Sequence, residues 1–153
     1  MEVPYVIGVI VILMLILGTF EHIRMQRLSG ERGEVDVCKY AKSFDYRSVD
    51  TKIMREVWNE LHLWLGKYDG KAFPIKTEDK FEDTYNMDPE DLDDIYLAIA
   101  DRLGINTENP QKKPYFNKVT SVKNLVLFLH HQSIVRNSQQ YDISRIQQEY
   151  IRH

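Results

Sequence analysis

The chain has 153 residues, enough for one domain of about 100–150 residues with a short appendage and too few for two ordinary domains. Hydrophobic residues make up 43% and charged residues 28%, with 7 Gly and 5 Pro, which excludes a disordered, collagen-like or low-complexity chain. A single cysteine, Cys38, excludes an internal disulfide, while a formal net charge of −3 excludes neither a membrane nor a protein partner.

No residue from Val3 to Phe20 is charged, and at 1.5 Å per residue this run reaches roughly 27 Å, close to the hydrocarbon thickness of a bilayer. It reads as a transmembrane helix. A cleaved signal peptide would begin with basic residues and end at small ones, whereas here Glu2 precedes the run and Phe20-Glu21-His22 follows it. Arg24, Arg27 and Arg32 lie just after the run and no basic residue lies before it, so the positive-inside rule predicts an outside N-terminus and a cytoplasmic remainder. A free Cys38 suits that reducing side. Residues 21–47 mix charges with Ser29-Gly30 and Gly33 and show no sustained apolar period, which predicts a linker.

A helical domain is expected over residues 48–132. Ile53, Val57, Leu61, Trp64 and Leu65 recur at helical spacing and predict a helix that buries this stripe and ends near Gly66. Residues 67–87 read as a long structured loop, with Phe73, Ile75, Phe81 and Tyr85 as its core contacts. Asp88-Pro89-Glu90-Asp91 then supplies an N-cap, a proline at the first helical position and acids in the first turn. Leu92, Ile95, Ile99 and Leu103 continue that helix until Gly104 stops it. Thr120 or Ser121 caps a third, well-buried helix through Val122, Leu125, Val126 and Leu129, and a last short helix is expected from Asp142 through Ile143, Ile146 and Tyr150 in the polar tail 133–153. No alternating strand pattern appears, so the expected class is all-α: a small helical bundle after a single N-terminal transmembrane helix.

The order of these parts resembles an acyl carrier protein over about residues 50–132. The resemblance rests on Glu90-Asp91-Leu92-Asp93-Asp94-Ile95, on the following stretch Leu97 to Ile105, on Val119-Thr120-Ser121-Val122, and on the loop Asp79-Lys80-Phe81-Glu82-Asp83. Carrier proteins bear phosphopantetheine on a serine at the start of their second helix. At that position this chain has Asp91, which has no hydroxyl to modify. The resemblance therefore implies an acyl-carrier-like fold without carrier activity, fused to a membrane anchor, and no cofactor.

Charge is strongly segregated. Residues 48–110 hold 15 acidic and 7 basic residues, whereas residues 111–153 hold 2 acidic and 7 basic. Nine acids, Glu78, Asp79, Glu82, Asp83, Asp88, Glu90, Asp91, Asp93 and Asp94, fall within 17 residues. Such a patch attracts basic partners and repels nucleic acid, although acids at a helix start also serve the dipole alone. No EF-hand series begins at Asp79, Asp83 or Asp88, and the adjacent His130 and His131 point about 100° apart on a helix, so no metal site is expected. Gly66 to Ala72 lacks the spacing of a phosphate loop, no hydrolase or zinc-protease motif occurs, and nothing near Cys38 marks an activated thiolate. The expectation is a non-enzymatic module, tethered to a membrane, that docks a basic protein partner through Asp88, Glu90, Asp91, Asp93 and Asp94. The alternative is an assembly subunit of a multi-pass membrane complex, suggested by Gly8 and Gly18 in the span.

Overall fold

The structure, a computed structural model, describes residues 3–34, 36–45, 47, 49–105, 107 and 118–133. Its described part is mostly helical, with one two-stranded hairpin. The apolar run forms a helix longer than itself: α1 spans Val3–Arg32, about 45 Å at the standard rise, and is long and apolar enough to cross a membrane. Its apolar portion is exposed on every side, from Tyr5 to Phe20. Past Phe20 the helix continues without a break, with the Arg24 Nε donating to Glu21 Oε2 at 2.9 Å one turn back.

This continuation overturns the linker expected over residues 21–47. Met25 is buried, Leu28 packs against the core, and α2 (Val37–Lys42) adds Tyr40, with Phe44 following. Asp36 caps α2 by accepting from the Lys39 N–H at 2.7 Å. Four apolar residues spread over twenty positions and interrupted by Gly33 generate no period, so burial here leaves no pattern to read.

α3 (Thr51–Leu65) is capped by Asp50 and buries Ile53, Met54, Val57, Leu61 and Leu65 as the stripe predicts. Trp64 departs from that expectation and stays 42% exposed, although Leu61 and Leu65 on either side of it are buried. Gly66, at φ 70 and ψ −151, adopts a backbone closed to other residues and turns the chain into a hairpin. The hairpin pairs β1 (Lys67–Tyr68) with β2 (Lys71–Ala72) across Asp69-Gly70, both at positive φ as a type I′ turn requires. Its flanks are too short to show alternation, which is why the sequence reads as loop there. Phe73, Ile75, Phe81 and Tyr85 are all buried, as expected. A single turn, α4 (Phe81–Tyr85), closes the segment.

α5 (Pro89–Leu103) follows its local signals from Asp88 to Gly104. Gly104 is left-handed, and the Ile105 N–H reaches back to the Ala100 carbonyl at 2.8 Å with its side chain buried, a Schellman stop. α6, residues 122–133, is well buried as predicted, through Val122, Leu125, Val126, Phe128 and Leu129. Its first two N–H groups go to the loop: Val122 to the Asp79 carbonyl at 3.0 Å and Lys123 to Thr77 at 2.9 Å, with Ser121 Oγ accepting from Asn124. α3 packs on α5, where Arg102 reaches both Glu56 and the buried Glu60. Tyr96 ties α5 to α6 by donating to Gln132 Oε1 at 3.0 Å and packing on Phe128. The helix expected from Asp142 lies outside the described residues.

Candidate functional site

The five acids expected to dock a partner all sit at the start of α5, and the structure divides their work. Asp88 Oδ1 accepts from the backbone N–H of Glu90 at 2.9 Å and of Asp91 at 3.0 Å. Asp91 Oδ2 accepts in return from the Asp88 N–H at 3.2 Å, completing a capping box. These two carboxylates are held by the helix start, and Asp91 is half-buried rather than fully in solvent. Glu90, Asp93 and Asp94 are exposed and make no ion pair among the described residues. Asp93 still acts inward: the Tyr96 phenol is pushed up by its burial and by the Asp93 charge, against the opposing effect of its bond to Gln132.

Beside this helix start lies an open groove of about 560 Å³ lined by Phe81, Met87, Pro89, Leu92 and Val119, with Glu82 and Asp88 among its polar edges. Three chain segments build it. α4 supplies Phe81 and Glu82, the α5 start supplies Asp88, Pro89 and Leu92, and the approach to α6 supplies Val119. An apolar floor edged by carboxylates suits an apolar side chain flanked by positive charge.

Asp79 belongs to none of this, although the sequence counts it in the acidic run. It is 6% exposed and faces Arg32, 12% exposed, at the end of α1. Arg32 Nη1 and Nη2 donate to Asp79 Oδ2 and Oδ1 at 2.7 and 2.8 Å, a bidentate pair. The Tyr85 hydroxyl donates to Oδ2 at 2.6 Å and the Lys76 N–H does so at 2.8 Å. Arg32 also donates to the Pro74 carbonyl and stands over the Phe73 ring. Burial pushes the Tyr85 phenol far up, and the charge and hydrogen bond of Asp79 add to it.

Further contacts fasten α1 to the domain. Arg24 Nη2 donates to the Thr84 carbonyl at 3.1 Å, Gln26 Nε2 to Asp69 Oδ1 at 2.8 Å, and the His22 ring stacks on Tyr68 at 5.4 Å. The sequence places Arg24 and Arg32 only in the positive flank that orients a span; their partners lie 60 and 47 residues away, beyond any local signal. Among the described residues no three His, Cys, Asp or Glu side chains converge as metal ligands. His62 is engaged at both ring nitrogens, with the Trp58 and Phe73 carbonyls at 2.8 and 3.0 Å, and Cys38 is exposed. No family model, curated protein or solved structure matches this chain.

Proposed function

We propose that the protein is a membrane-tethered, non-enzymatic interaction module that docks a basic protein partner through the exposed carboxylates at the start of α5. One observation carries this reading: Glu90, Asp93 and Asp94 are exposed and make no ion pair among the described residues, while their neighbours Asp88 and Asp91 are taken up in capping, with Asp88 at the edge of an apolar groove. The anchor is the apolar part of α1, with the N-terminus outside and the domain on the cytoplasmic side, as the flanking arginines favour. Burial of Met25 and the Arg32–Asp79 pair supports retention of α1 in the working protein, since removing it would uncover the core. The reading extends to an acyl-carrier-like bundle that has lost its carrier role, since the resemblance puts Asp91 at the modified position and its carboxylate accepts from the helix start.

Replacing Asp93 and Asp94 by Lys tests the docking face in the full chain. Both side chains are exposed, so folding should survive, while recovery of the partner from solubilised membranes falls, most strongly at low salt. Unchanged recovery at every salt concentration refutes the docking face. The reading as a subunit of a multi-pass complex draws on the uncovered apolar surface of α1, where Gly8 and Gly18 face open space. Size exclusion in mild detergent separates the two: a stoichiometric complex favours the subunit, and a monomer with a salt-sensitive partner favours the module.

A further inference from the structure

Trp64 sits where its helix calls for burial and is not buried. At 100° per residue it lies about 20° from both Ile53 and Val57 around the axis of α3, and those two are almost completely enclosed. Trp64 is 42% exposed and its neighbour Leu63 74% exposed, so the final turn of α3 presents a large apolar pair to the outside.

The location of that turn says what covers it. Gly66 and Lys67 lead directly to Tyr68, whose ring stacks on His22 at 5.4 Å, two residues beyond the last apolar residue of the α1 run. Three residues of chain, four peptide links, separate Trp64 from Tyr68 and hold their Cα atoms within about 14 Å of each other. The end of α3 is thus tied to the level at which α1 leaves its apolar segment. Lys67, three residues after Trp64, and Arg27, five residues after His22, are exposed and add positive charge. Trp and Tyr beside Lys and Arg is the composition that settles at a membrane–water interface, where an apolar ring body and a polar or charged tip are both satisfied.

We infer that Leu63 and Trp64 enter the headgroup layer of the same bilayer that α1 crosses, a second point of contact that sets the angle of the domain to the membrane. This rests on reading α1 as a membrane anchor. With a helix fastened into the core and a tryptophan seated in the lipid, the domain no longer swings freely, and the acidic start of α5 is offered to partners in one orientation.

The full chain reconstituted in phosphatidylcholine vesicles tests this, with and without a lipid carrying a nitroxide near its headgroup. The chain has two tryptophans; Trp58 packs between Tyr40 and His62 and serves as the internal control. Lipid nitroxide should quench the wild type, and Trp64→Phe should abolish most of that quenching. Trp58→Phe, which isolates Trp64, should retain it and show emission shielded from aqueous iodide. Equal lipid quenching of wild type and Trp64→Phe overturns the inference. If iodide then quenches Trp64 the turn stands in water; if neither quencher reaches it, protein covers it. Alkaline carbonate extraction separates the premises. A chain that stays in the vesicles with an unquenched Trp64 refutes the seat in the lipid alone, whereas a chain washed off refutes the anchor.

Discussion

Asp79→Asn keeps the size of the side chain and removes the charge that neutralises Arg32. The carboxylate takes two N–H groups from Arg32, one from Lys76 and the hydroxyl of Tyr85, all within 2.8 Å. An amide oxygen at the Oδ2 position can keep three of these contacts, but the amide nitrogen at Oδ1 then faces Arg32 Nη2, donor against donor. More costly is the guanidinium itself, only 12% exposed and left without its counter-charge. Breaking a buried pair from one side costs about 3–5 kcal/mol, and the surviving bond to the Pro74 carbonyl argues for the lower end. A loss of about 3 kcal/mol lowers Tm by roughly 10 °C in a chain of this size. Thermal unfolding in detergent, followed through the half-buried Trp58, measures it. Arg32→Met in the same background should restore part of the loss, since an apolar side chain tolerates the site better than an unpaired cation. Because one of the contacts that fasten α1 to the domain is lost, Asp79→Asn should also quicken tryptic cleavage at Arg24 and Arg27. A shift below about 1 kcal/mol, or a contribution that salt screens like that of an exposed pair, refutes the buried clamp.

Tyr40 is buried with a hydroxyl that has no hydrogen-bond partner among the described residues, so Tyr40→Phe should leave stability unchanged or raise it by up to about 1 kcal/mol; a clear loss in the same unfolding assay would reveal a bond to that hydroxyl. Burial raises the phenols of Tyr40 and Tyr85, so both stay protonated in the folded chain where an unfolded chain would ionise them. The stability this contributes is complete below the ordinary tyrosine value of about 10 and is lost as pH rises from there toward the raised folded values. Denaturation midpoints should therefore fall above pH of about 10, and tyrosinate absorbance should show these two phenols ionising only with unfolding. Asp91→Ser should cost about 0.3–1 kcal/mol, the worth of a carboxylate in the first helical turn. The resulting chain should gain no mass with a phosphopantetheinyl transferase, and acceptance of the group would show a carrier surface lost through one residue.

The start of α5 and the apolar part of α1 are coupled mechanically. Residues beyond Phe20 hold core positions, so force on α1 reaches Asp79, and through its carbonyl the start of α6 beside the groove. A flexible tether would have left the groove mechanically independent of the apolar segment. A helix bonded into the core makes the groove part of the same packed body as the apolar part of α1.

Local chemistry is legible in the order of the amino acids. The apolar run, the Asp88 cap with Pro89 behind it, the Gly66 and Gly104 stops, the buried stripe of α3 as far as Leu61 and the burial of α6 all follow from residues within a few positions of one another, because capping, φ restriction and helical period act over one or two turns. The tertiary structure decided what becomes of each charged or apolar group once distant segments meet. It took Asp79 out of the acidic surface and gave it to Arg32, made core residues of Met25, Tyr40 and Phe44 where no period exists, and left Trp64 uncovered on an otherwise buried face. A carboxylate in a charged run is the same residue whether it faces water or a guanidinium 47 positions away, and only the packing of the whole chain removes the water from one of them.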